Sequence, residues 1–330
     1  MPNAARIAAA VVAALSLSTA CGGDADPRSI TPPPVTTPAA VTPSAIPTSD
    51  TTPARPLQVD ETRPQLFTWQ FKPSAADPAV AIRDEVQTAM VDTRVKPHRG
   101  KLVIALSGTG GAPGPVNLVE FAASLGFHGF AIAYENSVNP STQSDPDFFG
   151  KMRFEQFDGT DRTPALTVGR PDCVEVRVAR ALAHLQALNP EADWGYFLDP
   201  DGSPRWSDVI FIGHSHGATS AAAFAKLRRL WRAVSMSGPR DTNPVVATWL
   251  GQPSATPIDR LFGFTGTEDP QYPDHVKAME AMNYLGTLTD VATNSPPYGG
   301  SHRLQYPAGH NDSIDCERFK PACLTMLGVE

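Results

Sequence analysis

The chain has 330 residues, 41% hydrophobic and 18% charged, with 27 Lys and Arg against 34 Asp and Glu and a formal net charge of −7. That length suits one large or two small domains, and the hydrophobic share is enough to fill a core. An acidic balance excludes sequence-independent nucleic-acid binding, which requires a basic face. The only long apolar run is at the extreme N-terminus, which excludes a membrane-spanning bundle.

Arg6 precedes Ile7–Leu15, an apolar stretch of signal length, and small residues then lead to Ala20 and Cys21. A basic start, a short apolar segment and a small-residue exit predict an export signal over residues 1–21, too short for a spanning helix. Ser18-Thr19-Ala20-Cys21-Gly22-Gly23 resembles a bacterial lipoprotein cleavage box, although Ser18 stands where Leu is usual. The resemblance implies a diacylglyceryl group on Cys21, hence a membrane tether and a cell-surface or periplasmic location; plain secretion is the alternative. Residues 22–65 form a Pro/Thr-rich linker with ten prolines between Asp24 and Pro64 and no apolar periodicity, so a disordered spacer is expected. The folded domain is then 66–330. Cys173, Cys316 and Cys323 permit one disulfide and one free thiol. Cys316–Cys323 is the first expectation and Cys173–Cys316 the second.

Within the domain, apolar runs alternate with helical periodicity. Leu102–Leu106 predicts a buried strand ending in the glycine-rich loop Ser107–Gly111, and Val116–Leu125 predicts a helix. A strand is expected at Phe130–Tyr134, followed by a long polar loop over Glu135–Gly169, of a length that is usually functional. Val174–Leu188 reads as a helix, Asp208–Gly213 as a strand, Ala218–Leu230 as a helix and Ala233–Ser237 as a strand. Arg260–Phe264 is the next strand, His275–Leu285 a helix, Arg303–Tyr306 the last strand, and a C-terminal helix follows. Such alternation predicts an α/β fold: a mostly parallel sheet with helices on both faces, and a site at the carboxyl ends of the strands.

Gly213-His214-Ser215-His216-Gly217 stands at one of those ends, after a strand and before a helix, as a G-x-S-x-G nucleophile elbow requires. The serine there occupies a strained turn that lifts its hydroxyl above the sheet. The flanking glycines allow the turn to close on itself. His214 and His216 also form an H-x-H pair, but residues flanking an elbow point apart, and neither a metal nor any other cofactor is expected. Trp249 is the aromatic side chain expected to face substrate. The loop Ser107–Gly111 matches neither dinucleotide-binding nor Walker patterns, so no nucleotide is expected.

These residues resemble the α/β-hydrolase superfamily over essentially the whole of Leu66–Glu330. The resemblance implies the α/β-hydrolase fold, here without a large lid domain because Gly238–Thr256 is short. It also implies a Ser–His–Asp triad in the order Ser, acid, His. Ser215 is then the nucleophile. Asp269, in Gly266-Thr267-Glu268-Asp269, is the expected acid, with Glu268 and Asp274 as competitors. His310, past the end of the last strand, is preferred as the base over His302, which begins that strand. The backbone N–H of His216 and that of Gly110 or Thr109 would form the oxyanion hole. More narrowly, the chain resembles exported bacterial α/β-hydrolases and, more distantly, secreted polyester and acetyl- or feruloyl-ester hydrolases. An exported carboxylic ester hydrolase acting on a small-molecule or polymeric ester is therefore expected. The alternatives are a peptidase or acyltransferase on the same triad, or a surface binding protein with a vestigial site.

Overall fold

The computed structural model describes residues 55–139 and 143–329. The export signal, Cys21 and most of the linker lie outside the described residues. Two strands show why the sheet is buried on both sides. β3 (Leu102–Leu106) and β5 (Val209–His214) are apolar nearly throughout. Successive side chains of a strand point to opposite faces. Leu102, Ile104 and Leu106 accordingly enter one core cluster with Val209 and Phe211, whereas Val103 and Ala105 enter the other with Ile210 and Ile212.

Nine strands form one sheet in the order β1-β2-β4-β3-β5-β6-β7-β9-β8. The remaining strands are β1 (Leu66–Phe71), β2 (Gln87–Asp92), β4 (His128–Ala131), β6 (Arg232–Met236), β7 (Leu261–Gly266), β8 (Thr289–Asp290) and β9 (Arg303–Tyr306). Pairing is parallel from β4 to β8, while β2 runs antiparallel to both β1 and β4. A four-residue turn of helix, α1 (Pro73–Ala76), joins β1 to β2. Helices α3 (Pro146–Asp158), α4 (Val174–Leu188), α5 (His216–Leu227) and α6 (Tyr272–Ala281) add apolar residues to the first cluster. α2 (Val116–Ala123) and α7 (Lys320–Leu327) cover the opposite face. The fold class is the expected one. Between Gly238 and Thr256 the described chain forms only a short 3-10 turn, Thr248–Gly251.

Three features depart from the sequence reading. Residues 55–65, expected as the end of a disordered linker, pack on the domain. Arg55 pairs with Asp193, the Gln58 N–H donates to Asp193 Oδ2 at 2.7 Å, and the Asp60 N–H donates to Glu191 O at 2.8 Å. Asp193 is buried at φ 54°, and the incoming segment supplies its partners. β1 and β2 also lie in a region where no strand was expected; β1 alternates, turning Phe67, Trp69 and Phe71 toward the core. Finally, the polar loop Glu135–Gly169 contains α3. Asp145 caps it by accepting from the Asp147 N–H at 2.9 Å, and Pro146 occupies its first turn. Cys316 and Cys323 have their sulfurs 2.14 Å apart, the disulfide first expected, and Cys173 is a buried free thiol.

Several buried histidines make the fold acid-sensitive. His128 is fully buried, its Nε2–H donating to Ala192 O at 2.7 Å with Trp194 and Phe197 edge-on to its ring. Burial pushes its pKa down to about 4, and that of His214 likewise to about 4. A folded-state pKa below the unfolded value of about 6.5 means the unfolded chain binds more protons in that interval, so stability rises with pH there. Lowering the pH from about 6.5 to about 4 should therefore lower the free energy of unfolding steadily, by an amount on the order of 3 kcal/mol for each such histidine, and the urea midpoint with it. A His128→Gln variant should show a shallower slope in urea titrations run across that range.

Candidate active site

Ser215 sits between β5 and α5 with φ 58° and ψ −115°, outside the regions ordinary residues favour. Two close approaches hold it there. A Cβ on Gly213 would lie 2.0 Å from the Gly217 carbonyl oxygen, and one on Gly217 would lie 2.4 Å from Leu106 O. Only glycine fits at either position. The first N–H groups of α5 have no partner within the helix, and its positive end lies at the serine.

Asp269 follows β7, where the absence of a side chain on Gly266 lets the strand end press against Ala308 O. The Asp269 side chain is buried. Its Oδ1 accepts the Gln271 N–H at 2.8 Å, and its Oδ2 lies 2.5 Å from Nδ1 of His310. A carboxylate only accepts, so the proton of the imidazole is on Nδ1 and the Nε2 lone pair is left for another proton. The His310 carbonyl accepts from Ser237 Oγ at 2.5 Å and from His214 Nε2 at 3.2 Å, which pins the loop past β9. The ring of His310 lies 5.1 Å from that of His214, next to Ser215 in the chain. Among the described residues Ser215 Oγ makes no hydrogen bond; in unliganded sites such bonds are often long and tighten only with substrate.

The competitors are placed elsewhere. Glu268 is exposed, and Asp274 pairs with Arg240, with 3.2 Å between charged atoms. His302 stacks on Phe262 at 3.9 Å, and its Nδ1–H reaches Leu261 O at 3.0 Å. His214 and His216 diverge: His216 is buried, and its Nε2 lies 3.2 Å from Gln156 Nε2. Burial, with Arg153 nearby, holds the His216 pKa well below the usual range. Among the described residues one His/Asp group has its potential ligand atoms within 4.8 Å of one another: Asp269, His275 and His310. The Asp269–His310 hydrogen bond accounts for the approach of those two, and His275 Nδ1 lies 3.7 Å from Asp269 Oδ2. His275 is fully buried, with Nδ1 2.8 Å from Thr265 Oγ1, and burial lowers its pKa.

Two expectations need correction. Gly110 is unsuited as an oxyanion donor because its N–H already donates to Asn136 O at 3.0 Å. The N–H of Thr109 has no partner among the described residues, and Thr109 lines the same cavity as Ser215 and His216. Trp249 does not face the cavity. It is wholly buried, and its indole N–H donates to Asp241 Oδ2 at 3.1 Å, so it supports the cavity wall from behind. The cavity holds about 190 Å³, with Asn139 and Arg153 contributing from the segment read as a polar loop. A larger cleft of about 720 Å³ between Pro296–Pro297 and α7 is apolar and lies among other residues.

The sequence reading also missed the group that shapes the loop Ser107–Gly111. Asn136 is fully buried. Its Nδ2 reaches Gly108 O at 2.7 Å, Ser107 Oγ at 2.8 Å and Gly111 O at 3.0 Å. Arg83 donates to Gly111 O at 3.0 Å from the other side. A polar residue just past the apolar strand was the only signal in the sequence. Asn136→Ala should leave the fold intact but let the loop drift, lowering kcat on a p-nitrophenyl ester about tenfold or more with little change in KM. Steady-state kinetics with circular dichroism as a fold control checks this.

No family model matches the chain, and no curated protein does. Solved structures are similar in outline. The serine hydrolase FphF of Staphylococcus aureus is 11% identical, with 80% of this chain and 98% of that one covered and a TM-score of 0.43. Esterase B of Lactobacillus rhamnosis, in complex with a tributyrin phosphonate, is 13% identical, with 80% and 84% covered and a TM-score of 0.44. TT1662 of Thermus thermophilus is 15% identical, with 78% and 97% covered and a TM-score of 0.37. Likeness at this level assigns neither activity nor substrate. Its own strand order, the serine at the turn after β5, the acid after β7 and the histidine after β9 give this chain the fold of the α/β-hydrolases.

Proposed function

We propose that the protein is a serine hydrolase that cleaves carboxylic esters, with Ser215 as nucleophile, His310 as general base and acid, and Asp269 as its orienting partner. The observation that carries this reading is the 2.5 Å contact between His310 Nδ1 and the buried Asp269 carboxylate, with the His310 ring 5.1 Å from that of His214, the residue before a serine held in the strained elbow. Nε2 of His310 takes the Ser215 proton as Oγ attacks the carbonyl carbon. The negative charge then developing on the carbonyl oxygen is met by the N–H groups of His216 and Thr109. Collapse expels the alcohol, which leaves with the proton from His310. Water, deprotonated by the same imidazole, attacks the acyl-enzyme and releases the acid with Ser215 restored.

A fluorophosphonate probe should label the wild-type protein and fail on Ser215→Ala. His310→Ala should cut kcat on p-nitrophenyl acetate by about 10³-fold or more, and Asp269→Asn by a similar order. Labelling that survives Ser215→Ala, or turnover indifferent to His310, would remove the proposal.

The N-terminal segment supports export of this activity, with a lipid on Cys21 as tether. Cells fed a radiolabelled fatty acid should incorporate label into the wild-type chain and not into Cys21→Ser, which should shift from the membrane fraction to the medium or periplasm.

A further inference from the structure

The cavity beside Ser215 has a wall chemistry that narrows the class of ester. Among the described residues that line it, none carries a hydrocarbon side chain; the polar set includes Thr109, Arg153, Thr219, Asp241 and Gln271. At about 190 Å³ it is smaller than the roughly 300–1,000 Å³ that takes a drug-sized ligand, so it receives a compact group.

The charges in the wall are compensated. Arg153 and Asp241 form a bidentate pair, Nε to Oδ2 at 2.7 Å and the second guanidinium nitrogen to Oδ1 at 2.9 Å, with both side chains buried. Arg240 is paired with Asp274. A wall without net charge gives an anionic ligand no Coulombic preference, but its hydrogen-bonding capacity is not exhausted. Arg153 makes four hydrogen bonds, to Asp241 twice, to His216 O and to Ser220 Oγ. A guanidinium has about five N–H donors, so one remains. The Asp241 carboxylate accepts three, two from Arg153 and one from Trp249, of about four sites. Arg153 and Asp241 both line the cavity, so one spare donor and one spare acceptor, both charge-assisted, belong to the same wall. That combination matches a hydroxyl, which donates and accepts at once. An alkyl chain laid against it would strip water from both and return nothing.

We propose that the group of the substrate seated in this cavity is compact and hydroxylated, on the scale of a monosaccharide unit or smaller, and that long-chain acyl esters are excluded. The proposal rests on the ester-hydrolase reading and specifies its substrate class. Arg153 and Asp241 are its specificity residues, and Gln271 lines the same space.

The test uses the wild-type protein and matched primary acetates: 6-O-acetylglucose against cyclohexylmethyl acetate, alongside p-nitrophenyl acetate, butyrate and octanoate. The expected kcat/KM is about tenfold or more higher for the acetylated sugar than for its hydrocarbon counterpart, and about tenfold or more lower for octanoate than for acetate. Gln271→Leu retains the backbone N–H that holds Asp269 and should narrow both ratios several-fold while probe labelling persists. Equal or better turnover of cyclohexylmethyl acetate, or of octanoate, in a protein that labels with fluorophosphonate overturns the inference and leaves the hydrolase reading standing. A wild-type chain that does not label at all overturns the hydrolase reading and this inference with it.

Discussion

The backbone of Ser215 is held in a conformation that its own preferences disfavour, and the rest of the site is arranged around that fact. The strain persists because the close approach of Gly213 to Gly217 O, and of Gly217 to Leu106 O, leaves the turn no room to relax. The second approach depends on β3 and β5 being neighbours in a sheet buried on both faces, since Leu106 ends β3. The core thus stabilises a local geometry that a free peptide would abandon. The same turn starts α5, so the hydroxyl and the helix's unpaired N–H groups face one region.

Around this turn the protein concentrates imidazoles but lets only one of them work on Asp269. His214, His216 and His275 lie within reach of the site, and burial lowers the pKa of each. His310 alone combines the short hydrogen bond to the Asp269 carboxylate with a partly exposed ring. His275, fully buried, brings its Nδ1 only to 3.7 Å from the same carboxylate oxygen. The carbonyl of His310 gathers Ser237 Oγ and the His214 ring, so the backbone of His310 is tied to the end of β6 and to the elbow itself.

Arg153 performs a comparable tie on the other side. From α3 it reaches the carbonyl of His216, the hydroxyl of Ser220 and the carboxylate of Asp241 after β6. A buried ion pair of this kind contributes little net stability, because desolvation offsets most of its Coulombic gain, while loss of one partner is costly. Its value here is positional: it joins α3, α5 and the segment after β6, and both of its side chains line the cavity.

The α/β alternation and the elbow were legible along the chain because each depends on local rules, whereas Asp269 and His310 were singled out by the order of acid and histidine that the resemblance to the α/β-hydrolases implies. A buried strand requires a continuous apolar run, a strained turn requires glycine, and loop residues past strand ends carry the chemistry. α3 was legible in part, since Asp145-Pro146 is a helix start, yet the polar composition that follows masked it. The docking of residues 55–65 on Asp193, the commitment of Gly110 to Asn136, the burial of Trp249 and the Arg153–Asp241 wall were decided by tertiary structure alone. Each joins residues far apart in the chain, 88 positions in the case of Arg153 and Asp241. Which N–H is free, which indole is covered and which charge is paired depend on neighbours that only folding brings into contact, so local sequence carries no record of them.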